Sequence, residues 1–187
     1  MILGQRIRLR PIEKDDLPRY VKWFSDPDLR GYLAMHLPMS QAEEEKWFEH
    51  SLASKDRNTQ AWAIDAQPAD MAVGPWVHIG GGGLHEIEWR QRWGELGIMI
   101  GARDYWSRGY GTDAVQTLTA WAFDTLNLNR VFLRVFADNA RAIRCYEKVG
   151  YQHEGRLRQH NYHNGAYRDV LLMGLLRSDW GQPTTVA

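Results

Sequence analysis

Cysteine is almost missing: Cys145 is the only one in 187 residues, which excludes an intramolecular disulfide and fits a reducing compartment. Net charge is missing too. Twenty-three Lys+Arg balance 23 Asp+Glu, so no overall field gathers nucleic acid or anionic lipid. Apolar runs are a handful of residues long, far short of the roughly 18–20 that cross a membrane. The first ten residues alternate charged and apolar side chains without a secretory-signal core. Internal repeats and low-complexity segments are also lacking. What remains is one domain over residues 1–187 with a flexible tail from about 181 to 187. It is expected in the cytoplasm, with no nucleic-acid or membrane partner. The one abundance is tryptophan, nine residues, which a core of this size uses mainly for packing.

Periodicity divides the chain into elements. Residues 5–10 alternate as a half-buried strand ended by Pro11. Asp15 and Asp16 precede Leu17, Tyr20, Val21 and Phe24 at helical spacing, and Asp26-Pro27 breaks that helix. Ser40 to Glu43 is a capping box opening an acidic helix to about Ser54. Strands are predicted over 60–66, 76–85 and 93–101, with a loop over 67–75. The second strand contains four consecutive glycines, Gly80 to Gly83, which mark a bulge or a close backbone approach. A helix over 111–126, a strong strand over 130–137 and a short helix from the cap Asn139 to Val149 follow, closed by Gly150. Strands over 151–160 and 167–176 flank the hairpin signal Asn164-Gly165. The order predicts an α/β fold with a mixed, mostly antiparallel sheet of about seven strands and about four helices.

Chemistry concentrates in two segments. From Glu95 a strand runs through Ile98, Met99 and Ile100 into a loop, Trp106-Ser107-Arg108-Gly109-Tyr110-Gly111-Thr112, that opens directly into a helix. Glycines let several N–H groups converge there, and the helix terminus adds unpaired donors and the positive end of its dipole, a cradle for phosphate or pyrophosphate. No Lys-Ser or Lys-Thr follows the glycines, so this is not a P-loop. The second segment is Asn139-x-x-Ala142-x-x-x-Tyr146-Glu-Lys-x-Gly150-Tyr151.

Together, Arg108-Gly-Tyr-Gly and the Asn139 to Tyr151 pattern resemble the GNAT superfamily of acetyl-CoA-dependent N-acetyltransferases. The Arg-x-Arg-Leu-Arg strand and Asp-Asp-Leu helix of residues 6–17 are similar to the branch holding the RimJ/RimL-type ribosomal-protein N-terminal acetyltransferases. The resemblance covers residues 7–176 and implies a sheet splayed between the strands at 97–101 and 131–137. It implies acetyl-CoA as cosubstrate and no metal. The pantetheine arm would bond to backbone groups of Ile98, Met99 and Ile100, and the pyrophosphate to backbone N–H groups from Arg108 to Thr112. Trp106 stands where the superfamily usually has Gln or Arg, which puts a side-chain contact from that position in doubt. Asn139 is implied as a contact to the cofactor arm, a role that competes with capping.

Amine attack on a thioester expels a thiolate, and the resemblance implies Tyr146 as the phenol that protonates it. A core tyrosine is the alternative. Glu95, opening the strand beside the thioester, is the expected base, directly or through water; an ordinary strand-end carboxylate is the alternative. His78, His85, His160 and His163 are alternative bases that no spacing singles out. Cys145 reads as a packing residue.

The expected acceptor is a primary amine: a protein N-terminus, a polyamine, an amino sugar or another small amine. Residues 29–50 and 160–168 should form much of its site, where Trp23, Tyr32, Trp47, Tyr162 and Tyr167 could wall a pocket around a cation. The chain is expected as a monomer or homodimer. A non-catalytic acyl-CoA sensor of the same fold and a nucleotide-binding protein are the other readings.

Overall fold

The computed structural model describes residues 1–33, 37–54, 57–67, 74–163 and 165–181. It contains β1 (Ile2–Leu3), β2 (Ile7–Arg10), α1 (Leu17–Ser25), α2 (Pro27–Arg30), α3 (Gln41–Ala53), β3 (Gln60–Ala66), β4 (Val77–Glu88), β5 (Trp93–Ile100), α4 (Tyr110–Asp124), β6 (Arg130–Phe136), α5 (Ala140–Val149), β7 (Gln152–His163) and β8 (Ala166–Leu176). Two short 3₁₀ turns lie at Lys14–Asp16 and Arg103–Tyr105. The strands form one eight-stranded sheet in the order β1-β2-β3-β4-β5-β6-β8-β7. About seven strands and four helices were expected. The additional strand, β1, is too short for an alternating pattern to show. The additional helix, α2, begins where Asp26-Pro27 was read as a break: Asp26 caps it by accepting from the Asp28 N–H at 3.0 Å, and Pro27 suits its first turn. Asn164 and the tail beyond Gly181 lie outside the described residues, as does most of the 67–75 loop.

Capping follows the sequence. Ser40 and Glu43 form the capping box of α3, and Asn139 caps α5 by accepting from the Ala142 N–H at 3.2 Å. Gly150 closes α5 with φ of 108°. The main core lies between the sheet and the helices α4 and α5, around Ile7, Leu9, Ile64, Leu84, Leu118, Phe123, Val131 and Leu133. A smaller apolar cluster on the opposite face joins Tyr20, Leu29 and Met99 with Trp23, Phe24 and Trp106.

The strand glycines mark a close approach. A Cβ on Gly80 would run into the Met99 carbonyl and one on Gly83 into the Gln60 carbonyl, so β3, β4 and β5 pack there too tightly for side chains. The β3–β4 register also shifts between Ile64 and Asp65.

All neighbouring strands are antiparallel except β5 and β6, which pair in parallel at Trp93–Arg130, Gly94–Val131 and Glu95–Phe132 only. Beyond Glu95 each strand keeps its outer partner, β5 with β4 as far as Ile100 and β6 with β8 as far as Phe136. The two therefore diverge into a V with its vertex at Glu95.

Candidate active site

The V exposes one edge of β5. The Met99 carbonyl lies against Gly80 and the Gly97 carbonyl against Gly82, so both turn toward β4. By strand alternation the backbone groups of Leu96, Ile98 and Ile100 face the cleft. Met99, expected to share in backbone recognition, is turned the other way; its side chain belongs to the cluster with Tyr20 and Leu29. The Ile100 carbonyl accepts from the Trp106 indole N–H at 2.6 Å, and the Arg141 guanidinium lies 3.8 Å from the Trp106 ring centre. Trp106 thus bridges the β5 edge and the first turn of α5.

The glycine loop turns through two left-handed residues, Ser107 with φ of 57° and Gly109 with φ of 88°. Gly109 is the cap of α4, and Asp113 begins the helical ladder by donating to its carbonyl at 3.0 Å. The N–H groups of Tyr110, Gly111 and Thr112 consequently have no intrahelical acceptor. Their side chains turn inward: the buried Tyr110 donates to the Gln67 carbonyl at 3.2 Å, and Thr112 donates to Cys145 Sγ at 3.5 Å. What the first turn of α4 offers outward is backbone, with the exposed residues Ser107 and Arg108 just ahead of it.

Arg6, which sequence reading did not single out, supports this loop from the neighbouring strand turn. It donates to the Arg108 carbonyl at 2.9 Å and lies 4.6 Å from the Tyr110 ring centre. Asp113 fixes that turn by accepting from the backbone N–H groups of Gln5 at 3.0 Å and Arg6 at 2.7 Å. Nothing in the local sequence signals a contact across so many residues.

Tyr146 projects from α5 into the main core, edge-on to Tyr151, whose hydroxyl pairs with Thr119 at 2.8 Å. Burial raises the Tyr146 phenol well above its ordinary value, and no described residue hydrogen-bonds its hydroxyl. Cys145 is raised by burial as well, as expected of a packing thiol. Asn139 spends its side-chain oxygen on the cap.

At the vertex, on the sheet face opposite Tyr146, Glu95 meets Arg134 of β6. Arg134 donates to both carboxylate oxygens, at 2.8 and 2.6 Å, and its charge also lies 3.7 Å from Glu86. Glu95 was the expected base. Both of its oxygens are held by one guanidinium, a pairing that ties β5 to β6 at the vertex. Arg134 carried no sequence signal, because it stands at an exposed position of β6, where a charge needs no partner.

Residues 6–152 match the family model described as Acetyltransferase (GNAT) domain. The chain belongs to the GNAT acetyltransferase family. The uncharacterized N-acetyltransferase p20 of Bacillus licheniformis is 27% identical over 178 residues, covering 94% of this chain and 96% of that protein. The spermidine N(1)-acetyltransferase of Escherichia coli is 26% identical over 185 residues, covering 93% and 88%. In fold, the spermidine N-acetyltransferase of Vibrio cholerae, solved with CoA and spermine, superposes with a TM-score of 0.84 at 24% identity over 94% of this chain and 98% of that one.

The GNAT domain has a second open region where α2, the β7–β8 hairpin and the start of α5 meet, a cleft of about 820 Å³. Tyr32, Arg103, Trp106, Asp138, Arg141 and Arg168 are among its walls. Arg168 fastens the hairpin across it, bonding to Asp138 and donating to the Gly31 carbonyl at 2.5 Å. Arg103 binds Asp26 and Asp28, at 2.6 and 2.9 Å. Of the aromatics expected to wall an acceptor pocket, only Tyr32 lines this cleft. Trp23 packs in the small core against Tyr20 and His78, while Tyr162 and Tyr167 meet edge to face at the hairpin. Among the histidines, His163 also borders the cleft, and His78 is buried against Gly80. His85 lies at the vertex, its ring across Gly97.

Proposed function

We propose that this GNAT domain transfers acetyl from acetyl-CoA to a primary amine by direct attack in a ternary complex. The observation that carries this reading is the unpaired β5 edge, which runs from the vertex at Glu95 to a glycine loop whose helix-terminal N–H groups have no acceptor. An extended pantetheine arm bonds to such an edge as an added strand does, through Ile98 and Ile100. The backbone of Arg108 to Thr112 suits the pyrophosphate, with Arg6 holding the loop. Trp106 replaces a side-chain phosphate contact with an indole wall. The amine nitrogen bonds to the thioester carbonyl carbon, the carbon–sulfur bond breaks, and Tyr146 gives its phenolic proton to the thiolate. Burial keeps that phenol protonated until it is needed.

The acceptor is a small amine or a protein N-terminus. The pattern of residues 6–17 supports a RimJ/RimL-type branch, and the spermidine acetyltransferase relatives put polyamines on the same panel. Incubation with acetyl-CoA and a panel of spermidine, amino sugars, amino acids and short peptides, read by CoA release and product mass, tests the reading. An acetylated amine with one CoA released per turnover is expected. Acetyl-CoA binding without CoA release across the panel would overturn it.

A further inference from the structure

We propose that His85 is the general base that takes the proton from the attacking amine. This assignment rests on the acetyl-transfer reading above and supplies the group that Glu95, held by Arg134, does not. The free β5 edge from Ile100 back to Leu96 spans four residues, about 13 Å at roughly 3.3 Å per residue. An extended pantetheine arm anchored at the start of α4 has a similar reach, so its thioester comes to the vertex beside Leu96 and Gly97.

His85 is the cross-strand partner of Glu95. Its ring reaches diagonally over Gly97, with Nε2 only 3.0 Å from where a Cβ on Gly97 would stand. Glycine at 97 is therefore what lets an imidazole lie across β5 at the vertex. The ring is on the face that carries α1 and α2, whereas Tyr146 is in the core on the other face. Base and acid thus approach the thioester from opposite sides of the sheet, and neither obstructs the other.

The imidazole is also uncommitted. No described residue hydrogen-bonds it, whereas the rings of His78 and His153 are occupied by the Gly80 carbonyl and Glu147. The charges around it are Glu86 on β4, Glu95 on β5 and Arg134 on β6. The ring keeps an exposed edge, while its partial desolvation over β5 lowers its pKa from the ordinary 6.5 against the opposing pull of Glu95 and Glu86, so it meets the amine as a neutral base. As the carbon–nitrogen bond forms, the nitrogen becomes acidic and its proton passes to the ring. The two carboxylates then stabilise the imidazolium until water removes the proton. The thiolate leaving with the broken carbon–sulfur bond takes its proton from Tyr146.

The test is a pH profile of kcat/KM, expressed per unprotonated amine, for the wild type, His85→Gln and Glu95→Gln, with acetyl-CoA affinity measured by calorimetry. The wild type should lose rate on an acid limb with a midpoint below the ordinary imidazole value. His85→Gln should lower the rate by about 10²–10⁴-fold and remove that limb, with acetyl-CoA affinity unchanged. Glu95→Gln should keep the limb and move it to lower pH, because a carboxylate favouring imidazolium is gone. A His85→Gln enzyme within twofold of wild type and with the same limb overturns the assignment. So does loss of the limb in Glu95→Gln, or a His85→Gln defect confined to acetyl-CoA binding. Absence of turnover in the wild type overturns the acetyl-transfer reading and this assignment together.

Discussion

Tyr146 and Glu44 are two buried groups whose pKa values burial raises, and the proposed acetyl transfer gives only Tyr146 a chemical step. Tyr146→Phe keeps the ring against Tyr151 and removes the proton. Turnover should fall by about 10²–10⁴-fold, measured where chemistry limits the rate, while acetyl-CoA affinity changes little. Glu44 of α3 is 3% exposed, and burial raises its carboxyl to about 7. A carboxyl whose folded pKa lies above its unfolded value stabilises the fold fully below about 4.5, and that stabilisation is lost as pH rises through 7. Glu44→Gln should therefore leave Tm nearly unchanged at pH 4 and raise it at pH 8, as calorimetry at the two values would show. The sequence marked Tyr146 through its motif. It left Glu44 as one acid among several on an acidic helix, because burial depends on how α3 packs on α1.

The glycine loop is an element whose two glycines differ in their work. Gly109 holds φ of 88°, and a Cβ there would come within 2.5 Å of Arg6 Nη2. Gly109→Ala should thus lower stability by about 1–2 kcal/mol through left-handed strain alone, in addition to any effect on binding. Gly111 has an ordinary φ, and a Cβ there would meet only Ile100 and Cys145 at 3.8 and 3.9 Å. Gly111→Ala should leave Tm unaltered, so weaker acetyl-CoA binding in that variant would report directly on phosphate approach. Calorimetric titration beside thermal melts separates the two effects. Unchanged affinity in Gly111→Ala would confine phosphate contact to the other backbone donors. The loop and its helix were legible because glycine spacing before a helix is local. The support from Arg6 was not, since it arrives from a strand turn over a hundred residues away.

Across the whole molecule, a buried ionic network ties the first strands to the helical face. Arg10 bonds Asp16 at 2.6 Å and Asp65 at 2.9 Å, Arg8 bonds Asp65 at 2.8 Å, and His78 lies 3.1 Å from Asp16. Burial raises the Asp16 carboxyl, but its hydrogen bonds from Arg10 and Glu13 outweigh that, so its pKa falls below 3.8. Burial lowers the His78 imidazole below 6.5 despite Asp16. Both folded values are depressed, so the stability each contributes is present above its unfolded pKa and is lost as pH falls through the folded one. In a Glu44→Gln background, where the opposing gain from that carboxyl is absent, melting temperature should decline in two stages on acidification, first below about 6.5 and again below about 3.8. His78→Gln should reduce the first stage and leave the second.

The main strands and helices, the caps at Ser40, Asn139 and Gly150, and the glycine turn before α4 were legible in the sequence by itself, because each rests on periodicity or on contacts within a few residues, while the role proposed for Tyr146 came through family resemblance. The widening of β5 from β6 beyond Glu95 was legible only through family resemblance. Tertiary structure decided the rest. The pairing of Glu95 with Arg134, the turn of Met99 toward β4, the seat of Trp106 on Ile100 and the reach of His85 over Gly97 all depend on register between strands. Register is a non-local quantity, since a shift of one residue would carry each of these side chains to the opposite face of the sheet.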